Sequence, residues 1–345
     1  MKKTYSIVGS AKQVGDRKLQ YFELKNALNT SGLEESKTSK SDLVIFVNYS
    51  GKSLRKLKIY HSKLVLIRLE PKAVLPIQYN KRIEKKFDLI ITPGGQVDLE
   101  SRFIGWPYKY DLNPSKPAAE YTSLKSVITQ AINKEFFEIE SWSLRKNALV
   151  LIAANKVSPT SKSNYRIRRY LAKNLSPKFL YVYGPLWQAP LITLIVHRCK
   201  VMAYAIRTGY FPNLKEIYGN LFTKYSTFVG EPEDKHKVIR EFRYSLVIEN
   251  TTDYCSEKIF DAMINGSIPI YLGPKNSQIN LPSNLYLRCT GSAHELKELV
   301  ENFTEKKSAD MLKSMKSYLI SDEFSKNWHS DKVYEKIAKE IKDLT

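Results

Sequence analysis

Apolar residues in the first half of the chain fall in short runs, separated by polar stretches with helical spacing. Residues 5–8, 42–47, 63–69 and 87–92 are aliphatic or β-branched runs of strand length, as expected of strands buried on both faces. Between the first two, residues 17–28 set Leu19, Phe22, Leu24 and Leu28 on one helical stripe. The same spacing returns over residues 118–137 through Leu124, Val127, Ile128, Ile132 and Phe136, after a linker at 113–117. The run 148–154 opens a second alternating series, followed by a helix start at 166–170 and a strand and turn at 181–185. Strands interleaved with helices imply mostly parallel sheets, so the pattern predicts an α/β protein with a boundary near Leu144. The apolar run 189–196 has the length of a strand or a buried helix. The segment from there to Val238 is the least readable; Tyr204, Tyr210, Phe211 and Tyr218 are expected in a core. Residues 331–344 predict an amphipathic helix through Val333, Ile337, Ile341 and Leu344, expected to pack back onto the protein.

The most informative stretch is residues 241–274, EFRYSLVIENTTDYCSEKIFDAMINGSIPIYLGP, which reads as strand, loop, helix, strand. Ser256 is the expected N-cap, with Glu257 in the first turn. Ile259, Phe260 and Met263 form the buried stripe, and Gly266 is the expected stop. The polar residues gather after the first strand, at the edge where open α/β sheets bind ligands. A helix N-terminus favours phosphate, and Lys258 adds a point charge. Glu249 and Glu257 suit sugar hydroxyls, while Tyr254 suits a base or a phosphate. A nucleotide-sugar meets all four needs; a solvated Glu-Lys pair on a surface loop is the plainer alternative.

Bulk properties narrow the classes. The chain has 345 residues, with 55 Lys and Arg against 35 Asp and Glu and a formal net charge of +20. Such a field favours anionic partners, whether nucleic acid, a membrane face or phosphorylated substrates. Three cysteines show no metal-ligand spacing, which suits buried thiols in a reducing compartment. No Asp-x-Asp occurs. No apolar window reaches the roughly 18 residues of a membrane span, and the N-terminal apolar stretch is short for a signal peptide. A protein-only fold on the cytoplasmic side is expected, peripheral on an inner membrane where the basic surface meets lipid.

Residues 241–274 resemble the signature of the α1,3/4-fucosyltransferase family: Phe242 and Tyr244, Glu249-Asn250, Tyr254-Cys255-Ser256-Glu257-Lys258, then residues 266–273, GSIPIYLG. The loop joining Asn250 to Tyr254 is shorter than in that family. Asn155, followed by the helix start at Arg166 and Tyr170, is similar to the family's diphosphate-binding stretch, with Ala154 in place of a serine. The resemblance implies a GT-B architecture, two Rossmann-like domains facing across a cleft: 1–144 for the acceptor, 145–325 for the donor, and a terminal helix at 326–345. It implies an inverting transfer of L-fucose from GDP-fucose to a glycan hydroxyl, α1,3 in type, without a required cofactor or metal. Arg166, Glu249, Asn250, Tyr254, Glu257 and Lys258 would hold the donor, with Arg168 or Arg169 as substitutes for Arg166. Glu70, after an apolar strand and before Pro71, is similar to the family's proposed base; a capping or ion-paired carboxylate is the alternative. Trp106, Tyr108 and Tyr110 would line the acceptor site or simply pack. A lipid-linked acceptor, as in lipopolysaccharide assembly, accords with the charge. A GT-B enzyme with another nucleotide-sugar, and a basic nucleic-acid-binding protein, remain as alternatives, though no nucleic-acid-binding motif occurs.

Overall fold

The structure, a computed structural model, describes residues 3–9, 21–37, 40–49, 62–93, 101–104, 128–129, 131–160, 163–211, 213–275, 279 and 281–344. The basic stretch 52–58, the aromatics Trp106, Tyr108 and Tyr110, and the linker 113–117 lie outside the described residues. By packing, the chain divides into two units. The first comprises Met1–Tyr121, Asp253–Cys255 and Glu323–Thr345, and the second Thr122–Thr252 and Ser256–Asp322.

The first unit is built on a parallel sheet: β1 (Thr4–Gly9), β2 (Glu34–Glu35), β3 (Leu43–Val47), β4 (Lys63–Ile67), β5 (Leu89–Pro93) and β6 (Ser101–Ile104), in the order β2-β1-β3-β4-β5-β6. Alternate residues of β3 go to opposite faces. Leu43, Ile45 and Val47 pack with Leu24 and Leu28 of the helix Phe22–Thr30. Val44 and Phe46 pack on the other face, where the Phe46 and Phe87 rings meet edge-on at 5.5 Å. The first face is also covered by Val333, Ile337 and Ile341 of the helix Ser330–Lys342, so the terminal amphipathic helix completes the core of the first unit.

Two strands are shorter than expected. β4 stops at Ile67 rather than residue 69, because Arg68 turns into a buried network. Its guanidinium pairs with Glu84 at 2.5 Å, donates to the Gln78 carbonyl at 2.8 Å and lies 4.3 Å from the centre of the Tyr79 ring. β5 starts at Leu89, since Asp88 uses its carboxylate to accept the Leu64 N–H at 2.8 Å.

The second unit carries β7 (Lys146–Ile152), β8 (Leu180–Tyr183), β9 (Phe228–Gly230), β10 (Phe242–Ile248), β11 (Ile268–Leu272) and β12 (Leu287–Arg288). Their order is β12-β11-β10-β7-β8-β9, all neighbours parallel. This is the doubly wound arrangement whose direction of winding reverses between two central strands; here those are β7 and β10. The unit starts at Thr122, ahead of the expected residue 145, because the segment before β7 belongs to its core. Ile128, Ile132, Phe137 and Trp142 are buried, and the Trp142 ring meets Tyr244 of β10 at 5.6 Å. Arg145 donates to the carbonyls of Asn265 and Gly266, each at 2.9 Å. Gly266 ends the helix Lys258–Ile264 with φ +62, and a Cβ there would collide with the Phe136 carbonyl, so only glycine fits.

The run 189–196 departs from expectation. It enters the helix Leu191–Arg207, on which Leu191, Ile192, Ile195 and Val196 are exposed, and Phe211 beyond it is also exposed rather than in a core. The helix meets its unit through the narrow stripe Leu194, Arg198 and Ala205, which is why most of the apolar run stays outside.

Candidate functional site

β10 ends at Ile248 and the polar residues follow at once. Glu249 extends the ladder by one bond, its N–H donating to the Leu272 carbonyl at 2.9 Å. Its side chain is fully buried. One carboxylate oxygen accepts the Ser256 N–H at 2.8 Å and the other the Ser256 hydroxyl at 2.7 Å. Glu249 therefore clamps the two ends of the loop together instead of facing solvent. The expected cap at Ser256 is corrected. The cap position falls on Glu257, without a side-chain cap, because the Ser256 hydroxyl is donated to Glu249. Lys258 Nζ donates to Ser256 Oγ at 2.7 Å and lies 3.7 Å from Glu249 and 3.5 Å from Glu257. Its side chain keeps 26% exposure and that of Glu257 36%, against none for Glu249; these two present the outer surface of the cluster.

The helix Tyr165–Asn174 holds the loop from the β7 side. Buried Arg168 donates to the Ile248 carbonyl and, at 3.0 Å, to Asn250 Oδ1. The Asn250 carbonyl accepts the Asn164 N–H at 2.9 Å. Arg168 is thus an internal brace, and Arg169 another, donating to the Lys156 carbonyl at 2.7 Å and lying 3.6 Å from Glu216. Arg166 is the exposed member of the three. It lines a cavity of about 320 Å³ with Arg169, Asn213, Lys215 and Glu216. Asn155, after β7, is buried, with Nδ2 donating to the Leu186 carbonyl at 3.3 Å.

Tyr254 and Glu70 belong to the first unit. Tyr254 is buried, and its hydroxyl donates to the Leu69 carbonyl at 2.6 Å. Glu70 follows Leu69, three residues past the end of β4 at Ile67. Its backbone carbonyl accepts from Gln78 Nε2 at 2.7 Å and Tyr79 Oη at 2.9 Å. The side chain therefore stems from a fixed backbone at a carboxyl edge and is half-buried.

Burial pushes the Glu249 carboxyl up, against Lys258 and the Ser256 bonds. Burial pushes Glu257 the same way, but Lys258 and a backbone bond outweigh it and hold it below the usual range. Lys258 is pulled down by burial and carried higher by Glu257 and Glu249. Glu257 and Lys258, one carboxylate held low and one ammonium held high, can meet both hydroxyl and phosphate groups.

Two members were not singled out from sequence. Lys235 and Asp261 pair at 2.8 Å, and with Val150, Ser245, Glu257 and Lys258 they line a cavity of about 140 Å³. The available signal was an aspartate inside the apolar helix IFDAMI. Burial pushes Asp261 up to about 6. A raised native value contributes stability that is present below the unfolded-state pKa and lost as pH rises through about 6. Relative to Asp261→Asn, the wild type should therefore gain on the order of 2 kcal/mol between pH 7 and pH 4, read from urea midpoints. A difference that stays flat over that range would contradict this protonation. Among the described residues, no group of three or more His, Cys, Asp or Glu could hold a metal ion.

Residues 189–311 match the family model described as glycosyltransferase family 10 (fucosyltransferase), C-terminal part. That stretch holds the Glu249–Lys258 loop but neither Arg166 nor Glu70. A 53-residue segment is 36% identical to a fucosyltransferase-like protein of Arabidopsis thaliana, covering 15% of this chain and 10% of that one. Among solved structures, HepE of Anabaena in complex with UDP and glucose aligns with a TM-score of 0.55 at 12% identity, over 99% of this chain and 100% of that one. An α1,3-fucosyltransferase with GDP-fucose aligns with a TM-score of 0.50 at 14% identity, over 99% and 90%. The chain shares with them two parallel-sheet α/β units, the GT-B fold.

Proposed function

We propose that this chain is a fucosyltransferase that moves L-fucose from GDP-fucose to a glycan hydroxyl, with an α1,3-type linkage. The observation that carries this reading is the position of the Glu249–Lys258 loop. It lies at the carboxyl end of β10, where the winding of the second sheet reverses beside β7, and inside the stretch that matches the family model. Ligands of doubly wound sheets bind at that edge.

In this reading the exposed groups do the binding and the buried ones set their positions. Glu257 accepts from ribose hydroxyls, Lys258 and Arg166 meet the diphosphate, and the Arg166 fork suits its oxygens. Glu249, Asn250 and Arg168 hold the loop, and Tyr254 holds the backbone beside Glu70. Glu70 takes the acceptor's proton as the acceptor oxygen attacks the anomeric carbon and the bond to the diphosphate breaks. One displacement inverts that carbon through an oxocarbenium-like transition state. The cations stabilise the leaving diphosphate.

A second reading, a UDP-sugar donor, is favoured by the likeness to HepE in complex with UDP and glucose. Calorimetry with GDP, GDP-fucose, UDP and UDP-glucose separates the two. GDP and GDP-fucose should bind the wild type, and Lys258→Ala should weaken them by roughly 10-fold to 100-fold, the worth of a charge-assisted contact. Preference for UDP would replace the donor. No nucleotide binding by folded protein would favour the nucleic-acid alternative.

A further inference from the structure

The helix Leu191–Arg207 turns apolar residues outward. Its buried residues, Leu194, Arg198 and Ala205, lie on one stripe and include a guanidinium. At roughly 100° per residue, an arc running from the flank of that stripe round to its opposite side holds Ile195, Ile206, Cys199, Ile192, Ala203 and Val196, all of them exposed. Ile192 and Ile206 are each 66% exposed. Exposed Lys200 and Arg207 border one side of that arc. The following segment adds Phe211 at 98% and Phe222 at 82% exposure. Tyr218 Oη lies 4.0 Å from Cys199 Sγ, which brings the short helix Leu214–Tyr218 alongside the stripe. Residues 191–224 contain Arg198, Lys200, Arg207, Lys215 and Lys224 against Glu216 alone, five positive and one negative, a net of +4.

We infer that this face rests on an anionic lipid bilayer, with the isoleucines in the headgroup region and the cations against lipid phosphates. An apolar stripe with a Lys/Arg border is the pattern of a helix lying in a membrane interface, and an anionic leaflet attracts the rest of a +20 chain. No helix among the described residues is long and apolar enough to cross a membrane, so the contact is with the surface. Charge argues for lipid over a second copy of the chain. A two-fold contact would set the same patch against itself and face cation with cation. The single carboxylate of the segment, Glu216, already lies 3.6 Å from Arg169. The inference does not depend on which nucleotide-sugar is bound.

The test is flotation of the full chain with vesicles of phosphatidylcholine alone or mixed with phosphatidylglycerol. The wild type should float with the mixed vesicles only, and less so at high salt. Ile192→Ser/Ile206→Ser should weaken partitioning roughly 10-fold or more while leaving the melting temperature unchanged, since both side chains are outside the core. Lys200→Gln/Arg207→Gln should weaken it less and flatten the salt dependence. Three results would each overturn the inference: no flotation of the wild type, equal flotation with neutral vesicles, or isoleucine variants that float like the wild type. A wild-type dimer by light scattering that the isoleucine variant turns into a monomer would also overturn it, by assigning the face to a second copy.

Discussion

Glu70→Gln is expected to lower the turnover of fucose transfer by roughly 100-fold to 10,000-fold, the usual contribution of a positioned general base, while GDP binding and melting temperature stay at wild-type values. The expectation rests on how the residue is held. Its carbonyl is bonded by Gln78 and Tyr79 at 2.7 and 2.9 Å, and the neighbouring Arg68–Glu84 pair at 2.5 Å fixes the loop they come from. Glutamine keeps the shape and the backbone bonds and removes the negative charge and with it the ability to take a proton. Steady-state kinetics with GDP-fucose and a panel of glycan acceptors would read the effect as a fall in kcat. Loss confined to stability, with kcat intact in the folded fraction, would assign Glu70 to the architecture. Equal losses in GDP affinity would place it on the donor side.

The parallel strands were legible because burial on both faces leaves a continuous aliphatic run, as in Val44 to Val47 and Leu246 to Ile248. Their ends were less so. Leu69 resumes the apolar run of β4 one residue on, but Arg68 between them is drawn into a pair with Glu84, a partner that lies after a turn no local pattern announces. The terminal amphipathic helix was visible through its spacing, whereas its partners, Tyr5, Leu24 and the sheet of the first unit, lie at the other end of the sequence. The run 189–196 has the length of a strand or a buried helix, and apolar runs are usually buried; hydropathy alone does not say which side of a helix meets the core. Within the candidate site, residue type marks the loop but not how its side chains are disposed. Glu249 and Glu257 are the same side chain eight positions apart, yet one clamps Ser256 and the other faces outward. That difference is set by how the loop closes, which requires Arg168 and Leu272 from elsewhere in the unit.

The clamp has a testable energetic signature. Glu249→Ala should destabilise the second unit by about 3 kcal/mol or more, since it removes the carboxylate that accepts from the buried Ser256 N–H and hydroxyl and one of the two carboxylates near Lys258. Glu249→Gln should cost far less, because an amide oxygen can still accept the Ser256 N–H and the ionised form is the one burial penalises. The sign with pH follows from the same cause. A native pKa raised by burial contributes stability that is present below the unfolded-state value and lost as pH rises through the raised one, so wild type should gain on the glutamine variant as the solution is acidified. Urea unfolding followed by tryptophan fluorescence, at neutral and acidic pH, measures both effects. Alanine and glutamine variants within about 0.5 kcal/mol of wild type, the usual span of surface substitutions, would mean that the loop does not depend on this carboxylate. If instead alanine unfolds the loop and glutamine preserves it, GDP affinity should follow the same order, because Lys258 and Glu257 reach a ligand only from the position that the clamp gives them.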